Sequence, residues 1–217
     1  MGEGPNLLIA THNAGKQEAF DRLLAGSSFR WIHASDLGLD EPVEDGGTFE
    51  ANADIKSVHG ATATGLPCLA DDAGLEVDCL HGLPGVETAA YMTRSDGVRD
   101  GEYGREKLRR ECLAAGEDRP TAHGRCVLSL AVPRPDGPPE VVRFAGAVHG
   151  TLRWPALGDH GFGFEVIFVP TGSDATLAEI HPRDRDVRHD HRASAIDDLL
   201  RAVRHGLVTV EPPNPSR

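Results

Sequence analysis

Thr11-His12-Asn13-Ala14-Gly15-Lys16 follows directly on the apolar run Leu7-Leu8-Ile9-Ala10. The spacing predicts a short buried strand over 6–10, a tight polar turn and a helix over 14–25. Main-chain N–H groups at such a turn, together with a helix N-terminus, form an anion site. Lys16 would stand in the first helical turn. That is the unfavourable end of the helix dipole for a cation, and a bound phosphate makes sense of it. An ordinary strand-to-helix connection capped by Asn13 uses the same residues, so this segment alone leaves both readings open.

Three further groups could do chemistry. Asp71-Asp72-Ala73-Gly74 follows an apolar run, so a strand over 67–71 should stop there, with another over 75–80. Adjacent strand residues point to opposite faces, so one carboxylate can serve a site while its neighbour braces the turn. Carboxylates at strand ends hold Mg²⁺ with few protein ligands, because phosphate oxygens and waters supply the rest. Glu44, in the acidic glycine-rich loop 35–47, is the candidate second ligand, although a turn and a solvated side chain would look the same. Gly161-Phe162-Gly163-Phe164-Glu165 combines glycines that admit a close ligand with aromatic faces that stack a base. A glycine-bounded strand over 165–169 with both phenylalanines in the core is the alternative. His191-Arg192 opens a final helix over 193–204 and can donate to a carbonyl or phosphate, or simply be solvated.

These residues need elements to position them. Thr48 should cap a helix to about Thr64, placing Phe49, Ala53 and Lys56 on one face and Asn52 four residues before Lys56. His81-Gly82-Leu83-Pro84-Gly85 reads as a turn and 99–115 as a helix. Residues 121–132 and 140–149 read as a hairpin around the proline-rich 133–139. Alternating strands and helices followed by this hairpin predict an α/β fold: a mixed twisted sheet flanked by helices, in two lobes with a cleft between them. One domain over 1–210 and a disordered tail over 211–217 are expected.

The net charge of −12 excludes general binding to nucleic acid polymers, which needs a basic face. A small polyanion remains possible where a few cations converge and a divalent metal assists. No apolar run is long enough to cross a bilayer, and no signal-type segment opens the chain, so the expected location is cytoplasmic. Cys68, Cys79, Cys112 and Cys126 form no C-x-x-C pair and should be reduced thiols. The eleven histidines lack metal-ligand spacing.

The order of these motifs is distinctive: T-x-N-x-x-K after a strand, an acidic loop, N-A-x-x-K on a helix, A-D-D-x-G-L-x-V-D-x-L-x-G-x-P-G-V, then G-F-G-F and H-R-x-x-A. Together they resemble the noncanonical purine nucleoside triphosphate pyrophosphatases (the inosine/xanthosine triphosphate pyrophosphatases) over about 6–204. Leu69 to Val86 is the most specific block. The resemblance implies that Thr11, His12, Asn13, Ala14, Gly15 and Lys16 wrap the triphosphate, with Asn52, Lys56 and Ala73 beside it. It implies that Glu44 and Asp72 hold Mg²⁺ and that Asp72 takes a proton from the attacking water. It further implies that Phe162, Gly163, Phe164 and Glu165 cradle the base, that Arg185, His191 and Arg192 read its edge, and that the protein is a homodimer. The implied reaction cleaves the α–β phosphate bond of ITP, dITP or XTP.

The chain departs from the family pattern at several places. Ala51 replaces the acid of F-x-E-N-A, Ala73 the serine of A-D-D-S-G, and Ala90 the arginine of S-A-R-Y. Phe164-Glu165-Val166 stands for Y-D-P, Arg185 for a lysine, and Asp190 for the serine of S-H-R. The base-side residues change most. The same chemistry on a different or modified nucleotide, or nucleotide binding with little turnover, therefore stands beside the first reading.

Overall fold

Asn6–Ile9 (β1) is a strand whose last three residues are fully buried. A central parallel strand is covered on both faces, so Leu7-Leu8-Ile9 reads as an unbroken apolar run with no alternation. In the computed structural model, which describes residues 4–161, 163–185 and 187–210, β1 pairs in parallel with Arg30–His33 (β2) and with Cys68–Val77 (β3). Ala14–Leu24 (α1) connects β1 to β2. A 3-10 turn at Ala34–Leu37, an acidic loop and Phe49–Thr64 (α2) connect β2 to β3.

The strand order β2-β1-β3 sets the site. The chain winds one way from β1 through α1 and the other way through α2. Right-handed crossovers then place the two helices on opposite faces. Open α/β sheets bind ligands at such a reversal, beyond the carboxyl ends of the strands. Both helix starts are fixed by side chains: Asn13 accepts from the Lys16 N–H, and Thr48 from the Ala51 N–H. Gly65, at φ 70°, ends α2 in the left-handed conformation that glycine adopts without cost. Gly60 lets α2 approach closely, since a Cβ there would lie 2.5 Å from Cys68 Sγ and 2.9 Å from Leu8 Cδ2.

The chain continues through Pro84–Gly85 (β4), Thr88–Tyr91 (α3), Gly101–Ala114 (α4), Thr121–Val132 (β5), Glu140–Leu152 (β6), Phe168–Pro170 (β7) and His191–Arg204 (α5). The strands form one mixed sheet in the order β2-β1-β3-β5-β6-β7, with β4 antiparallel on β3 and β7 antiparallel on β6. This is the α/β fold that the alternation indicates.

The chain divides into two compact units. The described part of the first is residues 4–72, 127–145 and 195–210. Its core joins Leu8, Ala34, Ala61, Cys68 and Ala131. The second spans residues 73–126 and 146–194, apart from the undescribed positions. Its core joins Leu75, Val77, Met92, Leu108, Phe164 and Phe168 among others. In the second unit Asp100 caps α4 by accepting from the Tyr103 N–H.

Several expectations are corrected. β3 is one strand from Cys68 to Val77, so Asp71-Asp72 lies in its middle and not at a turn. Both carboxylates find partners there, and β4 holds the second half extended. The strand expected over 165–169 is Phe168–Pro170, because Gly163 (φ 64°) and a bond from the Ile167 N–H to the Phe164 carbonyl curl the preceding residues. β2 and α3 were not expected. β2 is partly exposed and lacks clean alternation, and α3 is a single turn. The 211–217 tail and Phe162 lie outside the described residues. All four cysteines are free, with Cys68, Cys112 and Cys126 buried. Among the described residues, no helix is long and apolar enough to cross a membrane.

Candidate active site

Asp71 and Asp72 are neighbours in β3 and point to opposite faces. Each meets a lysine from a different helix. Asp71, fully buried, accepts from Lys16 of α1, whose Nζ lies 3.2 Å from Asp71 Oδ2 and 3.5 Å from its carbonyl. Asp72 faces α2: Asn52 Nδ2 donates to Asp72 Oδ2 at 3.2 Å, and Lys56 Nζ lies 3.9 Å from Asp72 Oδ1. Asn52 also accepts from the Gly46 N–H at 2.9 Å, which ties the acidic loop to the strand. A Cβ on Gly46 would stand 2.8 Å from Asn52 Oδ1, so that contact needs glycine. The loop then brings Glu44 Oε2 within 2.9 Å of Lys56 Nζ. Asn52, Lys56 and Gly60 fall one helical turn apart, so the buried face of α2 is largely polar where it meets the site.

The Thr11–Lys16 turn is built as the sequence suggests. Thr11 is buried, and its Oγ1 accepts from the Asn13 N–H. Ala14 and Gly15 open α1, where the first N–H groups of a helix have no partner within it. His12 Nε2 donates to the Leu39 carbonyl at 2.7 Å and so anchors the start of the acidic loop. Lys16, Lys56, Glu44, Asn52 and Asp72 therefore come together within the first unit. Asp71 joins them. The sequence signal for its role was the adjacent acid pair on a strand flanked by helices, one carboxylate for each face.

Three carboxylates (Glu44, Asp71, Asp72) share two ammoniums (Lys16, Lys56), so negative charge is in excess. Burial pulls the Lys56 pKa down, but Asp71, Asp72 and Glu44 outweigh it, and the ammonium is held above its ordinary value. Asp72 carries the surplus. Burial raises its pKa and Glu44 adds to that, while Lys56, Lys16 and Asn52 only partly offset it. The same pair thus favours the Lys56 charge and disfavours that of Asp72, because Lys56 meets three carboxylates, whereas burial and Glu44 outweigh the two lysines at Asp72.

This donor set fits a hard divalent cation. Glu44 and Asp72 converge on one positive group, the Lys56 ammonium, and the cluster lacks one positive charge for balance. Among the described residues, no cluster of three or more His, Cys, Asp or Glu could hold a metal. Mg²⁺ is commonly held by one or two carboxylates with substrate phosphates and waters, so the pair suffices.

The second unit holds the residues expected at the base. Phe164 is buried in the core, and the Gly163 carbonyl accepts from Arg105 Nη1 at 3.0 Å. Glu165 pairs with Arg185 at 3.0 Å. Asp190 accepts from the N–H groups of Arg192 and Ala193, both at 3.0 Å, and so caps α5. A carboxylate at a helix N-terminus also suits its dipole, which accounts for Asp190 in place of serine. Arg192 is buried, and His191 approaches Gly124, where a Cβ would lie 3.4 Å from its Nδ1. Ala73 follows Asp72 in β3 and is half-buried.

Comparison with known proteins identifies the family. A model of the Ham1 family matches residues 7–202. The chain is 40% identical over 206 residues to the dITP/XTP pyrophosphatase of Mesorhizobium japonicum, covering 93% of this chain and 91% of that protein. It is 42% identical over 199 residues to the dITP/XTP pyrophosphatase of Rhizobium meliloti, covering 91% and 92%. Among solved structures, a HAM1 protein from Coxiella burnetii superposes with a TM-score of 0.80 at 28% identity, over 93% of this chain and all of that one. The Staphylococcus aureus Ham1 protein gives 0.77 at 31% identity, over 93% and 99%. With the fold, the ordered motifs and nearly the whole length in common, the chain belongs to the Ham1 family.

Proposed function

We propose that this protein hydrolyses deaminated purine nucleoside triphosphates (ITP, dITP and XTP) between the α and β phosphates, releasing the nucleoside monophosphate and pyrophosphate. One observation carries the reading. Two lysines and three carboxylates meet beside the N-terminus of α1, in a chain about 40% identical along its length to proteins named dITP/XTP pyrophosphatase.

The α1 N-terminus, with Thr11 to Lys16, binds the phosphate chain through N–H groups and the Lys16 ammonium. Lys56 offsets charge on the leaving pyrophosphate as the bond breaks. Asp72 accepts the proton of the attacking water as general base. Glu44 and Asp72 hold Mg²⁺, which when bound lowers the pKa of its water and neutralises phosphate charge. Gly163, His191 and Arg192, with Phe162, form the base side. Donors facing a 6-oxo group reject a 6-amino purine, because an unpaired buried donor costs about 1–3 kcal/mol. The resemblance also supports a homodimer, with residues 1–210 of each chain as one domain and the cytoplasm as the expected location.

The test is a panel of triphosphates with Mg²⁺: ITP, dITP and XTP against the four ordinary ribonucleotides. Faster turnover of the deaminated purines is expected. Turnover confined to another base would move the substrate and keep the chemistry. Tight binding without product would refute the enzyme.

A further inference from the structure

Arg185 is enclosed by acceptors of its own chain. Its Nη1 donates to Glu165 Oε1 at 3.0 Å. Its Nη2 donates to the carbonyls of His160 at 2.7 Å and Leu177 at 2.8 Å, with Glu165 Oε2 at 3.4 Å. Its Nε reaches the Ile180 carbonyl at 3.4 Å. The Arg185 side chain is only 6% exposed. A guanidinium has five N–H donors in one plane and no acceptor. Acceptors from four residues use nearly all of them, and turning the fork toward a ligand would break these bonds.

The neighbouring residues support the same clamp. A Cβ on Gly161 would stand 2.5 Å from Glu165 Oε2 and 3.1 Å from Glu165 Cβ, so the carboxylate lies against bare main chain. Arg105 of α4 holds the Gly163 carbonyl two residues further on. Arg185 thus ties His160 and Glu165, and Arg105 ties Gly163.

We propose that Arg185 is a positioning residue for base selection: through the Glu165 carboxylate and the His160, Leu177 and Ile180 carbonyls it fixes where His160 and Glu165 stand, and it does not itself touch the nucleotide. This rests on the pyrophosphatase reading above. Lysine cannot replace it, because an ammonium has three donors and no planar fork.

The test uses the full-length protein and two probes, ITP and inorganic tripolyphosphate, which carries the phosphates without a base. Arg185→Lys should raise the KM for ITP about tenfold or more, as a displaced binding segment does, and leave kcat within about threefold. Inhibition by tripolyphosphate should be unchanged. Glu165→Gln should give the same split, and so should Gly161→Ala, which presses on the Glu165 carboxylate without altering Arg185. The double variant Arg185→Lys/Glu165→Gln should be no worse than the poorer single, because both act through one contact. A kcat loss at unchanged KM or weaker tripolyphosphate inhibition would overturn the proposal by placing Arg185 on the phosphates, and multiplying effects in the double variant, or an unaffected Gly161→Ala, would overturn it by making Arg185 a contact independent of Glu165. If Arg185→Lys fails to fold, Glu165→Gln and Gly161→Ala decide by the same readouts. A wild type that hydrolyses no nucleoside triphosphate refutes the parent reading. An active wild type with unaffected variants refutes this one.

Discussion

Asp72→Asn separates catalysis from stability. Asp72 is 7% exposed. Burial lifts its pKa despite Lys56, Lys16 and Asn52, so the ionised carboxylate is a net cost to the folded state. A carboxyl whose folded pKa lies above its unfolded value favours folding most below the unfolded pKa. That contribution is lost as pH rises through the folded value. At neutral pH the wild type therefore bears the cost, and an isosteric amide does not. The amide keeps an oxygen for Asn52 Nδ2, and Lys56 keeps Glu44 at 2.9 Å. Losing the charge-assisted part of one hydrogen bond removes about 1 kcal/mol at most, which offsets the gain. The variant should be as stable as wild type at pH 7 or more so, and no worse than about 1 kcal/mol below it, or roughly 2–4 °C in Tm. Turnover should fall about 10²–10⁴-fold, the usual worth of a general base. Urea melts without divalent cations, beside pyrophosphate release from ITP, measure both. A stability loss beyond that limit would make Asp72 a structural anchor, and unchanged turnover would remove it from the chemistry.

Mg²⁺ without nucleotide should raise the stability of the wild type, by about 2.7 kcal/mol at one hundred times its Kd. It should not raise that of Asp72→Asn; an equal rise in both would place the ion elsewhere. Gly60→Ala should destabilise by about 1–3 kcal/mol in denaturant, because the new methyl meets Cys68 Sγ and Leu8. Asp100 is held below the ordinary carboxylate range by the Tyr103 N–H, with the Glu102 N–H and Arg94 adding to it. Its contribution is therefore full above the unfolded pKa and lost as pH falls through the folded one, and Asp100→Ala should flatten the acid limb of the stability profile. Burial pushes Cys68 up to about 12, so it should resist thiol reagents at pH 8 until the protein unfolds; fast labelling of the native protein would contradict its burial.

The elements that read clearly in the sequence are those with a local cause. β1 was legible as an apolar run, α1 and α2 by their Asn13 and Thr48 caps, and β5 and β6 by their flanking proline-rich turn. The misread elements depend on distant partners. Asp71-Asp72 looks like a turn until Lys16, Asn52 and Lys56 arrive from 16–55 residues away and make a buried acidic strand tolerable. β2 is a half-exposed edge strand that only β1 defines. In the site, Lys16, Lys56, Glu44 and Asp72 were named from chemistry and resemblance, and they lie together in one unit. The saturation of Arg185 was not legible, because three of its acceptors are main-chain carbonyls that any residue supplies.

Phosphorus-31 NMR of ITP consumed with Mg²⁺ tests the central claim most directly. The account predicts inosine monophosphate and pyrophosphate in equal amounts as the first products, with no diphosphate stage. Inosine diphosphate with free orthophosphate would show cleavage at the terminal bond and contradict it.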